Sequence, residues 1–230
     1  MPDLDSSETE PPSSPAAAAT KVPIPTLERL TTYLRCLIDA GGTGFDTISS
    51  AQIEEQTGIS AAQFRKDLSY FGEFGKPGVG YNVAELEGRI ARILQIHKVQ
   101  PIILVGGGNL GSALAAYPGL AEHKFRIVAV FDTDPQKIGK RLWAMDILDF
   151  RRLGEINEAV GARIAILAVP ASAAQTAADS AIEHGIRAIL NFAPVMLRVP
   201  PHVIVRNVSF LQELAVLSYH LTESTRGDGK

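Results

Sequence analysis

Six consecutive residues, Gly106-Gly107-Gly108-Asn109-Leu110-Gly111, satisfy the pattern G-x-G-x-x-G. They follow the apolar run Ile102–Val105 directly and open a helical stretch from Asn109 to Ala116, the context in which the pattern carries chemistry. Gly106 permits a tight turn, Gly108 lets backbone approach a pyrophosphate, and Gly111 lets a helix pack closely on its strand. The start of that helix offers unpaired N–H groups and a positive dipole end to phosphates. An acidic residue is expected about 20 positions on, at the end of a second strand, to accept ribose hydroxyls. Asp132 stands 21 residues after Gly111, with Asp134 close behind. A carboxylate there repels a 2′-phosphate, and no Arg follows immediately, so the pattern favours NAD over NADP. The competing reading is that the glycines serve only a tight strand–helix packing.

Turnover chemistry needs a general acid or base beside the nicotinamide. His97, His123, His184, His202 and His220 are scattered, most of them near element ends, and none has a carboxylate at a suggestive spacing. They read as surface or capping histidines. The strand ends that should face the nicotinamide are Ala168-Val169-Pro170 and Asn191-Phe192-Ala193-Pro194-Val195. Val169, Pro170, Phe192, Ala193 and Pro194 suit covering a ring and are poor at moving protons. An apolar pocket disfavours the positive charge of the oxidised ring, so it should prefer NADH. Cys36 is the only cysteine, which excludes an intramolecular disulfide and a cysteine-based metal site. Its place inside an apolar helical segment favours buried packing over a thiol switch.

A second chemistry-bearing cluster lies near the N-terminus. Phe64, Leu68 and Phe71 fall at i, i+4 and i+7, which turns Gln63, Lys66, Ser69 and Tyr70 outward with Arg65 on the flank. Arg and Lys suit guanine edges and phosphates, and Gln suits adenine. Lys76, in a glycine-rich loop, could reach a minor groove. Residues 21–82 carry six positive and seven negative side chains, whereas the usual footprint on DNA is basic. A winged helix that binds protein instead therefore stays open at this point.

The elements that would position these groups are legible in the patterning. Thr26 caps a helix with Leu27, Leu30, Tyr33, Leu34, Leu37 and Ile38 at helical spacing, ended by Gly41, Gly42 and Gly44. Ser49-Ser50 opens a short helix stopped at Gly58, and Ser60 caps a third that runs to Phe71. EFGKPGVGYNV then reads as a hairpin. This succession describes a winged helix-turn-helix over 21–84, followed by a connector helix over 85–98. From 99 to 207, continuous apolar strands alternate with helices, the grammar of a doubly wound parallel sheet of Rossmann type. The fold class is thus α/β with a winged helix in front. A last helix spans 208–221. Residues 1–20, with four acidic groups and no basic one, and residues 222–230 read as disordered tails.

The 230 residues, at 46% hydrophobic and 20% charged with a formal charge of −3, have ordinary globular composition. No apolar run reaches the length of a membrane span and no signal pattern opens the chain, so the expectation is a soluble, cytoplasmic protein.

The runs FRKDLSYFGEFGKPGVGYNV (64–83), LVGGGNLGSALAAYPG (104–119), FDTDPQKIGK (131–140) and LNFAPV (190–195) closely resemble the Rex family of redox-sensing transcriptional repressors. The resemblance extends over about 200 residues, from Lys21 to the last helix. It implies a homodimer whose last helix, from Phe210, is exchanged between subunits. It also implies binding to palindromic operators when NAD⁺ prevails and release by NADH, with NAD⁺ as competitor. Arg65, Lys66 and Lys76 inherit DNA contact by the same likeness. Gly106, Gly108, Asn109, Leu110, Gly111 and Asp132 inherit dinucleotide contact; Phe192, Ala193 and Pro194 inherit the nicotinamide neighbourhood. Three positions depart from the family pattern. Pro77 replaces a second basic wing residue, Ala168 replaces a common Thr, and Ser209 replaces an Asp able to pair with Arg35. The alternatives are a small NAD-dependent oxidoreductase with a winged-helix dimerisation domain, and a CoA- or nucleotide-binding domain on a DNA-binding arm.

Overall fold

The computed structural model describes residues 22–75 and 79–227. Residues 1–21, 76–78 and 228–230 lie outside the described residues, and with them the N-terminal tail and the wing-tip residues Lys76 and Pro77. The chain divides into two compact units, up to Gln95 and from Ile96 onward.

In the first unit, α1 (Ile24–Gly42) buries Leu30, Tyr33, Leu34 and Leu37 along one face. Pro23 is its N-cap and Pro25 sits in its first turn, where a fixed φ and a missing N–H are tolerated. Thr26 is therefore no cap; it is buried inside the helix and bonds elsewhere. The turn through Thr43 and Gly44 leads to β1 (Thr47–Ile48). A capping box between Ser49 and Gln52 starts α2 (Ser50–Thr57), and Gly58 ends it in the left-handed conformation. Ser60 caps α3 (Ala61–Ser69), which stops short of Phe71; that ring is only half-buried.

The segment after α3 does not form a local hairpin. Its strand β2 (Tyr81–Asn82) pairs antiparallel with β1, far upstream, in the register Ile48–Tyr81. Tyr81 meets the Phe64 ring edge-on at 5.2 Å, and Gly80, at φ 89°, passes against the Ile48 carbonyl. These contacts fix the return of the wing onto the body of the unit. Asn82 caps α4 (Val83–Ile93). This helix is not a connector: Val83, Leu86 and Ile90 are buried and the helix packs on α1, so it completes the core of the first unit.

The second unit is built on a sheet that has seven strands among the described residues. They are β3 (Gln100–Val105), β4 (Phe125–Asp132), β5 (Arg141–Leu142), β6 (Met145–Asp149), β7 (Ile164–Leu167), β8 (Ala188–Asn191) and β9 (Ile204–Asn207). Their order is β5-β6-β4-β3-β7-β8-β9, all parallel except the short edge strand β5. Leaving β5 aside, this is the doubly wound order of a dinucleotide fold, with its switch point between β3 and β7. Ile103 and Val105 point to one face of β3, against a core shared with α7 (Leu153–Val160) and α8 (Ala171–Glu183). Ile102 and Leu104 point to the other, where α5 (Asn109–Ala115) contributes Leu114 and Ala115. A short α6 (Pro118–Glu122) leads into β4. The last helix, α9 (Phe210–Gly227), runs beyond the expected end at Leu221, so 222–227 are helical rather than a disordered tail.

Candidate functional site

A cavity of about 690 Å³ opens at the carboxyl ends of β3, β4 and β7. Gly106, Gly108, Asn109, Leu110, Asp132, Asp134, Val169 and Pro170 all line it, so the glycine turn and two separate strand ends converge on one cavity. Gly106 has φ 107°, and a Cβ there would run into the Ala168 carbonyl. A Cβ on Gly111 would collide with the Gly106 carbonyl, which is how closely α5 sits on the turn. At Gly108 a Cβ would meet nothing within 4 Å; the space above it is open on the cavity side. No side chain caps α5, which leaves its first-turn amides available to an anion. The residues present thus fit a dinucleotide.

Asp132 is 8% exposed and closely held. Its Oδ2 accepts from the Gly107 amide at 2.8 Å and from Lys137 Nζ at 3.0 Å, and its Oδ1 accepts from the Asp134 amide at 2.9 Å. Burial pushes its pKa up, but the Asp134 amide, the Lys137 ammonium and the Gly107 amide outweigh that and hold it below the ordinary carboxylate value. Asp132 therefore faces the cavity as an anion with acceptor capacity left on Oδ1. Gly107 serves as its anchor rather than as a wall of the cavity.

Lys137 and Phe150, both in the lining, were missed in the sequence. Lys137 stands five residues past Asp132, beyond the immediate neighbours where a cation was sought; Phe150 comes from a 3₁₀ turn after β6 that no motif marks. Phe192, Ala193 and Pro194 follow β8, one strand beyond β7, and are not among the residues lining this cavity. Phe192 is half-buried against the Leu104–Ile166 core, Ala193 is buried and Pro194 exposed. Asn191 organises that loop. Its fully buried amide accepts from the Ala193 N–H at 3.0 Å and donates to the Val195 carbonyl and to Asn207 Oδ1, each at 2.9 Å.

In the first unit, Arg65, Lys66 and Ser69 are exposed on α3 and Tyr70 at its C-cap, with Arg65 donating to Ser50 Oγ at 2.8 Å. Gln63 is half-buried and donates to Asp67 Oδ1 at 2.9 Å. Asp67, which the helical-face reading passed over, is fully buried. It takes a two-pronged contact from Arg29 at 2.6 and 2.7 Å, and hydrogen bonds from Thr26 at 3.1 Å and Tyr33 at 2.9 Å. The signal was present as Thr26, Arg29 and Tyr33 on one face of α1, opposite an Asp between two core residues of α3. The base of the wing is clamped by Arg89, which lies 3.8 Å over the Phe74 ring and donates to the Glu73 carbonyl at 2.9 Å. Arg35 is exposed on α1. Ser209 accepts the Gln212 amide at 3.3 Å, capping α9, and Phe210 is exposed just after it. Cys36 is buried and bonded to Gln56, and burial raises its thiol pKa. His123 and His184 each bond a carbonyl one turn back on their own helices.

A Rossmann nucleotide domain preceded by a helix-turn-helix unit defines a nucleotide-responsive DNA-binding regulator. Residues 97–195 match the model of a CoA binding domain, and residues 21–69 match that of a DNA-binding protein N-terminus. The redox-sensing transcriptional repressor Rex of Pelotomaculum thermopropionicum is 47% identical over 205 residues, covering 89% of this chain and 96% of the relative. That of Desulfitobacterium hafniense is 48% identical over 201 residues, covering 87% and 96%. Among solved structures, RSP in complex with β-NAD⁺ and operator DNA superposes with a TM-score of 0.85 at 35% identity, covering 91% of this chain and 96% of that one. RSP in complex with β-NADH gives 0.82 at 33% identity, covering 91% and 98%. The chain belongs to the Rex family of redox-sensing transcriptional repressors.

Proposed function

We propose that this chain is a DNA-binding repressor that senses the NADH/NAD⁺ ratio, bound to operator DNA when NAD⁺ prevails and released when NADH binds. The observation that carries this reading is the cavity whose rim presents an ionised Asp132 beside an open glycine turn, on the same chain as an exposed Arg65–Lys66 face. Asp132, with Asp134 beside it, holds the adenosine ribose, and Gly106, Gly108, Asn109, Leu110 and Gly111 the pyrophosphate. Val169 and Pro170, with the Phe192–Pro194 loop, form the nicotinamide side. Bound dinucleotide supplies a ring whose charge differs between its two redox states, and that difference is the signal.

On α3, Arg65, Lys66, Ser69 and Tyr70 contact DNA, joined by Lys76 from the wing; Gln63 supports them through Asp67. We read no turnover into this function: the titratable side chains of the cavity lining are Asp132, Asp134 and Lys137, which hold one another at the ribose end. The exposed Phe210, Leu211, Leu214 and Leu217 of α9 support a homodimer closed by this helix. A twofold protein matches an inverted-repeat operator. Among the described residues no helix is long and apolar enough to cross a membrane, and we place the work in the cytoplasm, with its DNA.

Anisotropy of a labelled inverted-repeat duplex tests this. Binding reversed by NADH and not by NAD⁺ is expected; tight binding indifferent to NADH removes the sensing function, and no binding returns the oxidoreductase reading.

A further inference from the structure

The exposed cations of α3 have no acid to answer them in their own unit. Arg65 donates to the neutral Ser50 hydroxyl, and neither it nor Lys66 forms an ion pair among the described residues. The one acid of α3, Asp67, is buried and taken by Arg29, so it leaves their charge uncompensated. The complement stands at the start of the chain: Asp3, Asp5, Glu8 and Glu10 lie in a stretch of 20 residues without Lys or Arg. The match to the DNA-binding model begins at residue 21, so it assigns that stretch no role. The fold decides where the stretch is tethered. In the first turn of α1, Thr26 donates to Asp67 of α3 at 3.1 Å, so the chain enters the first unit beside α3. Lys66 is the neighbour of Asp67 on the exposed side of that helix. A helix with its side chains is about 10–12 Å across. The 12 residues that separate Glu10 from Val22 reach up to about 40 Å extended and about 20 Å as a flexible coil, so the carboxylates can pass around it.

We propose that the Arg65–Lys66 face of α3 is the docking surface of the chain's own acidic segment, residues 1–20, whose carboxylates occupy it in place of DNA phosphates. The inference rests on α3 being the DNA-reading helix, and the test separates the two. Tethering keeps the segment at a local concentration on the order of millimolar, so ion pairs that are weak singly act together. The docked segment and DNA exclude each other. Only the undocked fraction binds DNA, so the segment lowers affinity for operator and for random duplex by one common factor. It sets the threshold of DNA binding and leaves sequence preference as it is.

The full-length chain is compared with a variant of equal length carrying Asp3→Asn, Asp5→Asn, Glu8→Gln and Glu10→Gln. Anisotropy is read on an inverted-repeat duplex and on a random one. At low salt the variant binds both about three- to ten-fold more tightly, by the same factor, and the gain disappears near about 0.5 M salt. Nicotinamide fluorescence returns the same NADH affinity for both proteins, which shows that the variant keeps its fold. The DNA-free wild type is also treated with a carbodiimide, which joins carboxylates to amines already in contact. Mass spectrometry then finds Lys66 linked to a carboxylate of residues 1–20, and excess duplex suppresses the link. Unchanged or weaker DNA binding by the variant overturns the proposal, as does a gain confined to one duplex. A gain without the Lys66 link overturns it too, since the segment then merely repels DNA. If neither protein binds a duplex, the reading of α3 as a DNA-reading helix fails, and the Lys66 link alone decides the docking.

Discussion

Asp67 shows how one buried carboxylate can order a DNA-reading surface. It meets Arg29, Thr26 and Tyr33 of α1 and Gln63 of its own helix, so it locks the rotation of α3 about its axis. Burial pushes its pKa up, but the hydrogen bonds from Arg29, Gln63, Tyr33 and Thr26 prevail and hold it below its ordinary value. A carboxylate with a depressed folded pKa contributes its full stability above about pH 4, its unfolded value, and loses it as pH falls through the folded one. Asp67→Asn should cost the first unit about 2–3 kcal/mol at neutral pH, since it breaks a buried pair whose Arg29 side is partly hydrated. Urea unfolding at pH 7 and pH 3 checks this, because the gap between wild type and variant should narrow in acid. Tyr33 is held in its neutral form, first by burial and then by its hydrogen bond to Asp67, so no change near its ordinary pKa is expected.

At the scale of elements, the wing depends on α4. Arg89 stacks on Phe74 and bonds the Glu73 carbonyl, so α4 determines where the wing leaves the body of the unit. Arg89→Ala should weaken operator affinity by about three- to ten-fold with little change in fold, as expected for a partly exposed cation–π contact. Phe74→Ala should add almost nothing on top of it; full additivity in the double variant would show that the two do not act as a clamp. The β5–β6 hairpin carries the opposite kind of feature. Its two-residue loop places Trp143 at φ 54° and 66% exposed, where glycine is the usual choice. Trp143→Gly should raise the stability of the second unit by up to about 1 kcal/mol, because it removes left-handed strain and little packing. Thermal melting of the two proteins decides it.

At the scale of the whole molecule, sensing is a coupling between two binding events, and coupling is reciprocal. If NADH weakens operator binding by a given factor, saturating operator must weaken NADH binding by the same factor. Titrating NADH into the free and operator-bound protein should return matching factors, on the order of 1–3 kcal/mol of coupling. Unchanged NADH affinity on the operator would sever the sensor from the reader. The exposed α9 belongs to this scale as well. Leu214 and Leu217 are each 60% exposed in the single chain, a face that becomes stable when a second copy covers it. Leu214→Asp with Leu217→Asp should shift the protein from dimer to monomer by light scattering and weaken operator binding, since half-sites are read in pairs.

The sequence by itself determined what is local or periodic. The glycine turn with Asp132 at its set distance, the caps Ser49 and Ser60, the αL stop at Gly58 and the apolar strands were all legible, because each is dictated within one turn, strand or crossover. What the sequence did not disclose depends on residues far apart in the chain. β2 pairs with β1 rather than within its own loop, because Tyr81 is drawn to Phe64 and Gly80 to the Ile48 carbonyl. Asp67 carries no mark of its own within α3; its role is set by Arg29, Thr26 and Tyr33 of α1. Lys137 is unmarked by any local pattern; the turn after β4 folds its ammonium onto Asp132. In each case a buried or half-buried group took its partner from another element. Only tertiary structure decides such pairings, because desolvation makes an unpartnered polar group costly wherever its partner lies in the chain.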